Sequence, residues 1–109
     1  MENNYLEVYH LLHRLGVTTN YCGFWYTAYA VQLCAEEPER LLMVTKWVYP
    51  DVAERYGTSW TAVERNIRTV GAVIWRENRP LLEKMAGKPL TQRPGTARLL
   101  AILSYTLRL

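Results

Sequence analysis

Arg65 and Arg68, three residues apart, are the side chains of this 109-residue chain best suited to molecular recognition. A guanidinium is planar and always charged, and its fork of donors can pair bidentately with O6 and N7 of guanine. Each good pair of that kind discriminates its base by ~1–3 kcal/mol. Thr61, Glu64 and Thr69 stand near them at helical spacing, and Ser59 lies just upstream. Glu64 has three readings. It can accept from cytosine N4, pair with Arg68 at i,i+4 for about 0.3–0.5 kcal/mol, or help to cap a helix.

These groups matter only if a helix presents them. Pro50 opens a short helix, Gly57 ends it, and a longer helix is predicted from about Thr61 to Asn78. Short helix, glycine turn and long helix make a helix-turn-helix, whose second helix is the shape that enters the DNA major groove. Ala53 is small where the two helices must meet, and Val52, Tyr56 and Val63 are the apolar supports. The next support falls on Ile67 rather than Asn66, which predicts a longer turn than in compact repressors. Within the long helix, Trp60, Val63, Ile67, Val70 and Ile74 follow 3, 4, 3, 4 spacing and define a buried face. Thr61, Arg65, Arg68, Thr69 and Ala72 are then on the opposite side. Thr61-x-x-Glu64 is a capping-box pattern and predicts a start at Thr61.

Three more helices are predicted ahead of this pair. Asn3 or Asn4 can cap the first, which runs to about Leu15 with Leu6, Tyr9, His10 and His13 on one face, and Gly16 stops it. The second runs from Phe24 to Glu36, with either Trp25, Tyr29 and Gln32 or Phe24, Ala28, Val31 and Ala35 facing inward. Pro38 starts a third, ending at Val48. After the long helix, Pro80 to Ala86 form a brief helix, and Gly87 to Gly95, with Pro89 and Pro94, are expected to be the loosest segment. The last helix, Thr96 to Leu109, carries Leu99, Leu100, Leu103 and Leu107 on one side. No strand competes. The fold class is all-α, a compact bundle of about six helices containing a helix-turn-helix, and residues 1–109 read as one such domain.

A chain of this length hides roughly two-thirds of its unfolded surface on folding. With 50% hydrophobic residues, eight Tyr and four Trp, it has ample material for a core without staples. Its net charge of +3 conceals an asymmetry: residues 1–54 carry three basic and seven acidic side chains, residues 55–109 ten basic and three acidic. A basic half that begins at the helix-turn-helix suits a polyanion, although a solvated basic surface reads the same way. No apolar run approaches the ~20 residues that span a bilayer. The first residues are polar and show no secretory signal, so a cytoplasmic protein without membrane contact is expected. Cys22 and Cys34 are in no metal spacing and are expected as free thiols.

Other chemistry finds little support. His10 and His13 are three apart on one helix, but no third and fourth ligands follow at recognised spacing, so no metal is expected. No nucleophile with its base, no carboxylate pair and no phosphate-cradling glycine loop can be argued, so neither an enzyme nor a cofactor is expected. Tyr21, Phe24, Trp25, Tyr26 and Tyr29 are too many rings for one buried face. Some fill the core, and an exposed remainder would suit a homodimer or partner surface.

Thr45-Lys46-x-x-Tyr49-Pro50-Asp51-x-Ala53, then Val63-Glu64-Arg65-x-Ile67-Arg68, then Trp75, closely resembles the C-terminal DNA-binding domain of the stage-zero sporulation protein A family. His13-x-x-Gly16-Val17, Gly23-Phe24-x-Tyr26 and Arg93-Pro94 leading to Leu107-Arg108-Leu109 extend the likeness to nearly the whole chain, with a shorter stretch between Trp75 and the last helix. The resemblance implies an all-helical domain that binds double-stranded DNA at a promoter box, often as two copies in tandem. It also implies contact with an RNA polymerase sigma factor through about Arg76 to Pro89. By matching position, Glu64, Arg65 and Arg68 would be at bases or adjacent phosphates and Lys46 at the backbone.

The family usually carries an amino-terminal phosphoacceptor receiver. Here Met1 lies just ahead of the effector helices, so action without a receiver of its own is expected. Ala62 stands where the family commonly has arginine, Thr69 where it has histidine, and Cys22 and Glu54 where basic residues are usual. The expectation is a sequence-specific transcription regulator of low single-copy affinity, with homodimeric or tandem binding. The alternative is a protein-interaction module that kept the fold and lost DNA reading, acting on polymerase or on a full-length relative.

Overall fold

Burial of apolar faces decides where each helix goes. The computed structural model describes residues 5–108, with α1 (Tyr5–Arg14), α2 (Cys22–Glu36), α3 (Val44–Trp47), α4 (Tyr49–Tyr56), α5 (Trp60–Ala86) and α6 (Thr96–Arg108). A 3-10 segment, Pro38–Met43, leads into α3. No strand occurs among the described residues, as an all-α bundle requires.

The centre of the bundle is α2. Phe24, Thr27, Ala28, Ala30, Val31, Gln32, Leu33, Cys34 and Ala35 are all buried, so this helix is covered on nearly every side, as a core helix must be. The face through Phe24, Ala28, Val31 and Ala35 is the buried one; of the other, only Gln32 is enclosed, while Trp25 is exposed and Tyr29 half-buried. The other four long helices pack around it. Burial pushes the Cys34 thiol up to about 11, so it stays a neutral core side chain, while Cys22 is free and exposed.

α5 approaches α2 so closely that only glycine fits between them. A Cβ on Gly23 would lie 2.5 Å from the Asn66 carbonyl oxygen and 2.7 Å from a Val70 methyl. Opposite Gly23, Val63, Ile67, Val70 and Ile74 form the buried stripe of α5. Trp60, expected in that stripe, is 46% exposed. It is the first residue of the helix, next to the turn and beyond the cover of α2.

Two further expectations are corrected and a third is met. In α1 the buried residues are Val8, Leu11 and Leu12, continued by Leu15, whereas Leu6, His10 and His13 face water and Tyr9 is half-buried. The aliphatic stripe wins because burying two imidazoles would strand their polar atoms. The third helix is not continuous: Met43 leaves the helical region (φ −148°, ψ 75°). Arg40 bridges that break, pairing with Glu37 and Asp51 at 2.8 Å each and donating to the Trp47 carbonyl. The brief helix expected from Pro80 is present as the far part of α5, set off from the long helix where the chain leaves the helical region at Asn78 (φ −155°, ψ 56°), because Pro80 cannot continue the hydrogen-bond ladder. Asn78 caps the second part by accepting from Leu81 N–H (3.3 Å) and donates to the Arg14 carbonyl (2.8 Å).

The ends behave as the sequence suggests. Gly16 (φ 99°) stops α1, and the Asn3 or Asn4 cap lies outside the described residues. In α6, Leu99, Leu100, Ile102 and Leu103 are buried, Leu107 is partly so, and Arg108 donates to the Ala35 carbonyl near the end of α2.

Gly23→Ala tests the close approach by its sign. In an open helix that change stabilises by ~1 kcal/mol, but here the added methyl must displace backbone at a cost of about 1–3 kcal/mol. The expected outcome is a Tm lowered by roughly 5–15 °C in a thermal melt. A raised Tm would show that α2 and α5 do not touch there.

Candidate nucleic-acid interface

Three residues, 57–59, join α4 to α5. Gly57 is left-handed (φ 64°, ψ 40°), a conformation that favours glycine. Thr58 N–H donates to the Ala53 carbonyl (3.0 Å) and Gly57 N–H to that of Glu54 (3.4 Å), the paired bonds that finish a helix at a left-handed residue. The chain then reverses through Ser59, whose extended backbone and side-chain oxygen cap α5 by accepting from Ala62 N–H at 3.1 Å. The cap is thus Ser59, not Thr61, and the helix starts at Trp60. Nor is the turn lengthened: only residues 57–59 join the helices, and Ile67 sits in an ordinary 4, 3 register with Val63 and Val70. Val52, Ala53 and Val63 are buried where α4 meets α5, while Tyr56 is 38% exposed, its ring against those of Tyr26 and Tyr29.

With its inner stripe held on α2, α5 turns Thr61, Arg65, Arg68 and Thr69 to water. At 3.6 residues per turn these four fall within roughly 100° of arc. Arg68 donates from one nitrogen to both oxygens of Glu64, at 2.9 and 2.8 Å. Glu64 is therefore the ion-pair partner of Arg68 in the free protein. Arg65 is exposed and has no ion pair among the described residues. Thr69 donates to the Arg65 carbonyl (3.2 Å), and the Ser59 and Thr61 hydroxyls lie 3.1 Å apart. Six of the seven candidate residues thus share one end of one helix.

The seventh does not. Lys46 is on α3, which packs on the 3-10 segment and α4, and it lines a hollow with Glu37, Glu39, Arg40, Trp47 and Asp51. Those carboxylates make its neighbourhood mixed in sign. His10 and His13 do not combine with other ligands, and no group of three or more His, Cys, Asp or Glu among the described residues could hold a metal. No helix there is long and apolar enough to cross a membrane.

One contact could not be read from the sequence. The Tyr49 hydroxyl, on a side chain 1% exposed, is 2.7 Å from Thr96 Oγ1 and joins the start of α4 to the start of α6 across 47 residues. Burial raises the Tyr49 pKa, and Glu64 and Arg68 are near enough to act on it electrostatically. Leu99 of α6 faces Gly71 of α5, at 3.5 Å from where a Cβ would be. The first turn of α6 therefore flanks the exposed face of α5. No local pattern marks Tyr49 for this role.

Tyr49→Phe removes this bond and leaves Thr96 unpaired. The expected cost is about 1 kcal/mol, a fall in Tm of roughly 4–8 °C with unchanged helix content by circular dichroism. An unaltered Tm would mean that the bond holds nothing together.

A family comparison adds to this geometry. Residues 8–107 match the family model described as sporulation initiation factor Spo0A C terminal. Spanning essentially the whole chain, the match joins the all-helical fold and the helix-turn-helix to a family of transcription-factor domains rather than of enzymes. The chain belongs to the Spo0A C-terminal family, the DNA-binding effector domains of that sporulation regulator.

Proposed function

We propose that residues 1–109 act as one sequence-specific DNA-binding unit that places the first turns of α5 in the major groove of a promoter box. The observation that carries this reading is the exposed stripe of Thr61, Arg65, Arg68 and Thr69, set directly after a glycine turn and opposite a fully buried stripe. Arg65 reads a guanine with its free fork. Arg68 reads a second base or an adjacent phosphate, and Glu64 holds its guanidinium in one direction beforehand, which lowers the ordering cost on binding. Ser59, Thr61 and Thr69 supply hydroxyls to the phosphates beside the groove, and Lys46 adds a backbone contact at the periphery.

Ala62 is half-buried on this helix, where relatives commonly carry arginine, so one cation fewer enters the groove. Single-copy affinity is accordingly modest, and two copies in tandem on adjacent boxes, with a sigma factor alongside, complete the regulatory assembly in the cytoplasm.

A second reading draws on Leu42, Met43 and Trp47, which are 79%, 49% and 39% exposed on the 3-10 segment and α3. Such a patch suits a protein partner, and with it a module that has given up DNA.

Two measurements separate these readings. Arg65→Ala and Arg68→Ala are each expected to reduce preference for the family's box over a scrambled duplex by about 5- to 150-fold, the equivalent of ~1–3 kcal/mol, in competition anisotropy. A variant that discriminates as well as the parent would remove that arginine from base reading. The parent is also expected to lose affinity steeply between 50 and 200 mM salt, with a log–log slope near −0.9 for each phosphate neutralised. Little binding even at low salt would transfer the function to the protein-interaction module.

A further inference from the structure

The segment between α5 and α6 is built like a rigid arm. Leu90 is 6% exposed and anchors one end. Its N–H donates to the Glu83 carboxylate at 2.9 Å, and Arg79, paired with Glu83 at 3.2 Å, donates to the Leu90 carbonyl. The N–H donated by Leu90 holds the Glu83 carboxyl below the usual carboxylate range. Six residues on, the Thr96 hydroxyl meets that of Tyr49 at 2.7 Å and fixes the other end. Between these anchors Thr91, Gln92 and Arg93 are exposed, and Pro94 stiffens the descent into α6.

The charge of this arm is all of one sign. Beyond Glu83 the chain carries Lys84, Lys88, Arg93, Arg98 and Arg108 and no acidic residue. Glu83 itself is spent on Arg79 and Leu90. Lys88 and Arg98 border the hollow under the arm, and Arg93 has no ion pair among the described residues. The arm is also in the right place. The Tyr49–Thr96 bond brings its base beside Glu64 and Arg68, and Leu99 seats the first turn of α6 against Gly71, farther along α5.

From this arrangement we infer that Arg93 is a second DNA contact, a clamp on a backbone phosphate flanking the bases that α5 reads. The inference rests on the DNA-reading function proposed above and adds a site outside the helix-turn-helix. An arm fixed at both ends loses little conformational freedom when its arginine meets a phosphate, so the charge acts nearly in full. A backbone contact carries no sequence information of its own. Arg93 therefore sets affinity and register, while Arg65 and Arg68 set sequence.

The test uses the whole chain and five proteins: the parent, Arg93→Ala, Arg93→Lys, Arg68→Ala, and Lys84→Ala as a cation removed from the groove beside Leu11, Arg14 and Thr106 at the other end of α6. Each is titrated into box and scrambled duplexes from 50 to 200 mM salt. Arg93→Ala is expected to weaken both duplexes by the same factor, leave their ratio unchanged, and make the log–log slope shallower by about 0.9. Its deficit then shrinks about threefold between the two salt concentrations. Arg93→Lys restores the slope, and Lys84→Ala keeps the parent slope. If Arg93→Ala matches the parent in slope while Arg68→Ala loses discrimination, the clamp is wrong and the major-groove reading stands. A fall in the box-to-scramble ratio in Arg93→Ala would make Arg93 a base reader and overturn the backbone assignment. An equal loss of slope in Lys84→Ala would reduce the effect to net charge. A parent without salt-dependent DNA binding would overturn both readings together.

Discussion

The contact of α5 with α2 at Gly23 is the constraint on which the rest depends. A backbone carbonyl and a valine methyl occupy the space that any side chain at this position would need. With the two helices locked at that distance, the stripe from Val63 to Ile74 has one place to go, and the orientation of α5 about its own axis is settled. The opposite face then has to meet water. That face bears two arginines and two threonines, so a packing requirement in the core fixes where the recognition chemistry points.

Electrostatics completes what packing begins. The first half of the chain is acidic and the second basic, and the boundary falls within α4, the first helix of the helix-turn-helix. Within the basic half the few carboxylates are already engaged: Glu64 with Arg68, Glu77 with Arg76 and Glu83 with Arg79. Exposed pairs of this kind contribute little to stability, generally under about 1 kcal/mol each. Their effect is to direct guanidinium groups, and they leave Arg65 and Arg93 unpaired among the described residues. A polyanion approaching this side meets cations held in place by a rigid scaffold.

The sequence made much of this legible because it is written in local chemistry. Gly57, Pro50 and the 4, 3, 4 spacing from Val63 to Ile74 each act within a few residues, and each places its element correctly. The failures have physical causes of the same scale. In α1 the stripe through Leu6 and the histidines competed with one through Val8, Leu11 and Leu12, and periodicity alone does not weigh the cost of burying an imidazole. Thr61 offered the better-known capping pattern, but Ser59 had the extended backbone that a cap needs. Contacts between distant positions left no trace at all. Tyr49 with Thr96 and Asn78 with the Arg14 carbonyl join residues 47 and 64 apart, and only the folded chain brings them together.

The central claim is that the exposed face of α5 enters the major groove and meets guanine there. Methylation protection at guanine N7 reports on that atom directly. With saturating protein on a duplex carrying the family's box, the expected result is protection of guanines inside the box, with adenine N3 in the minor groove still open over the same bases. Guanine N7 reacting as freely as in naked DNA, while the protein is demonstrably bound, would contradict the account.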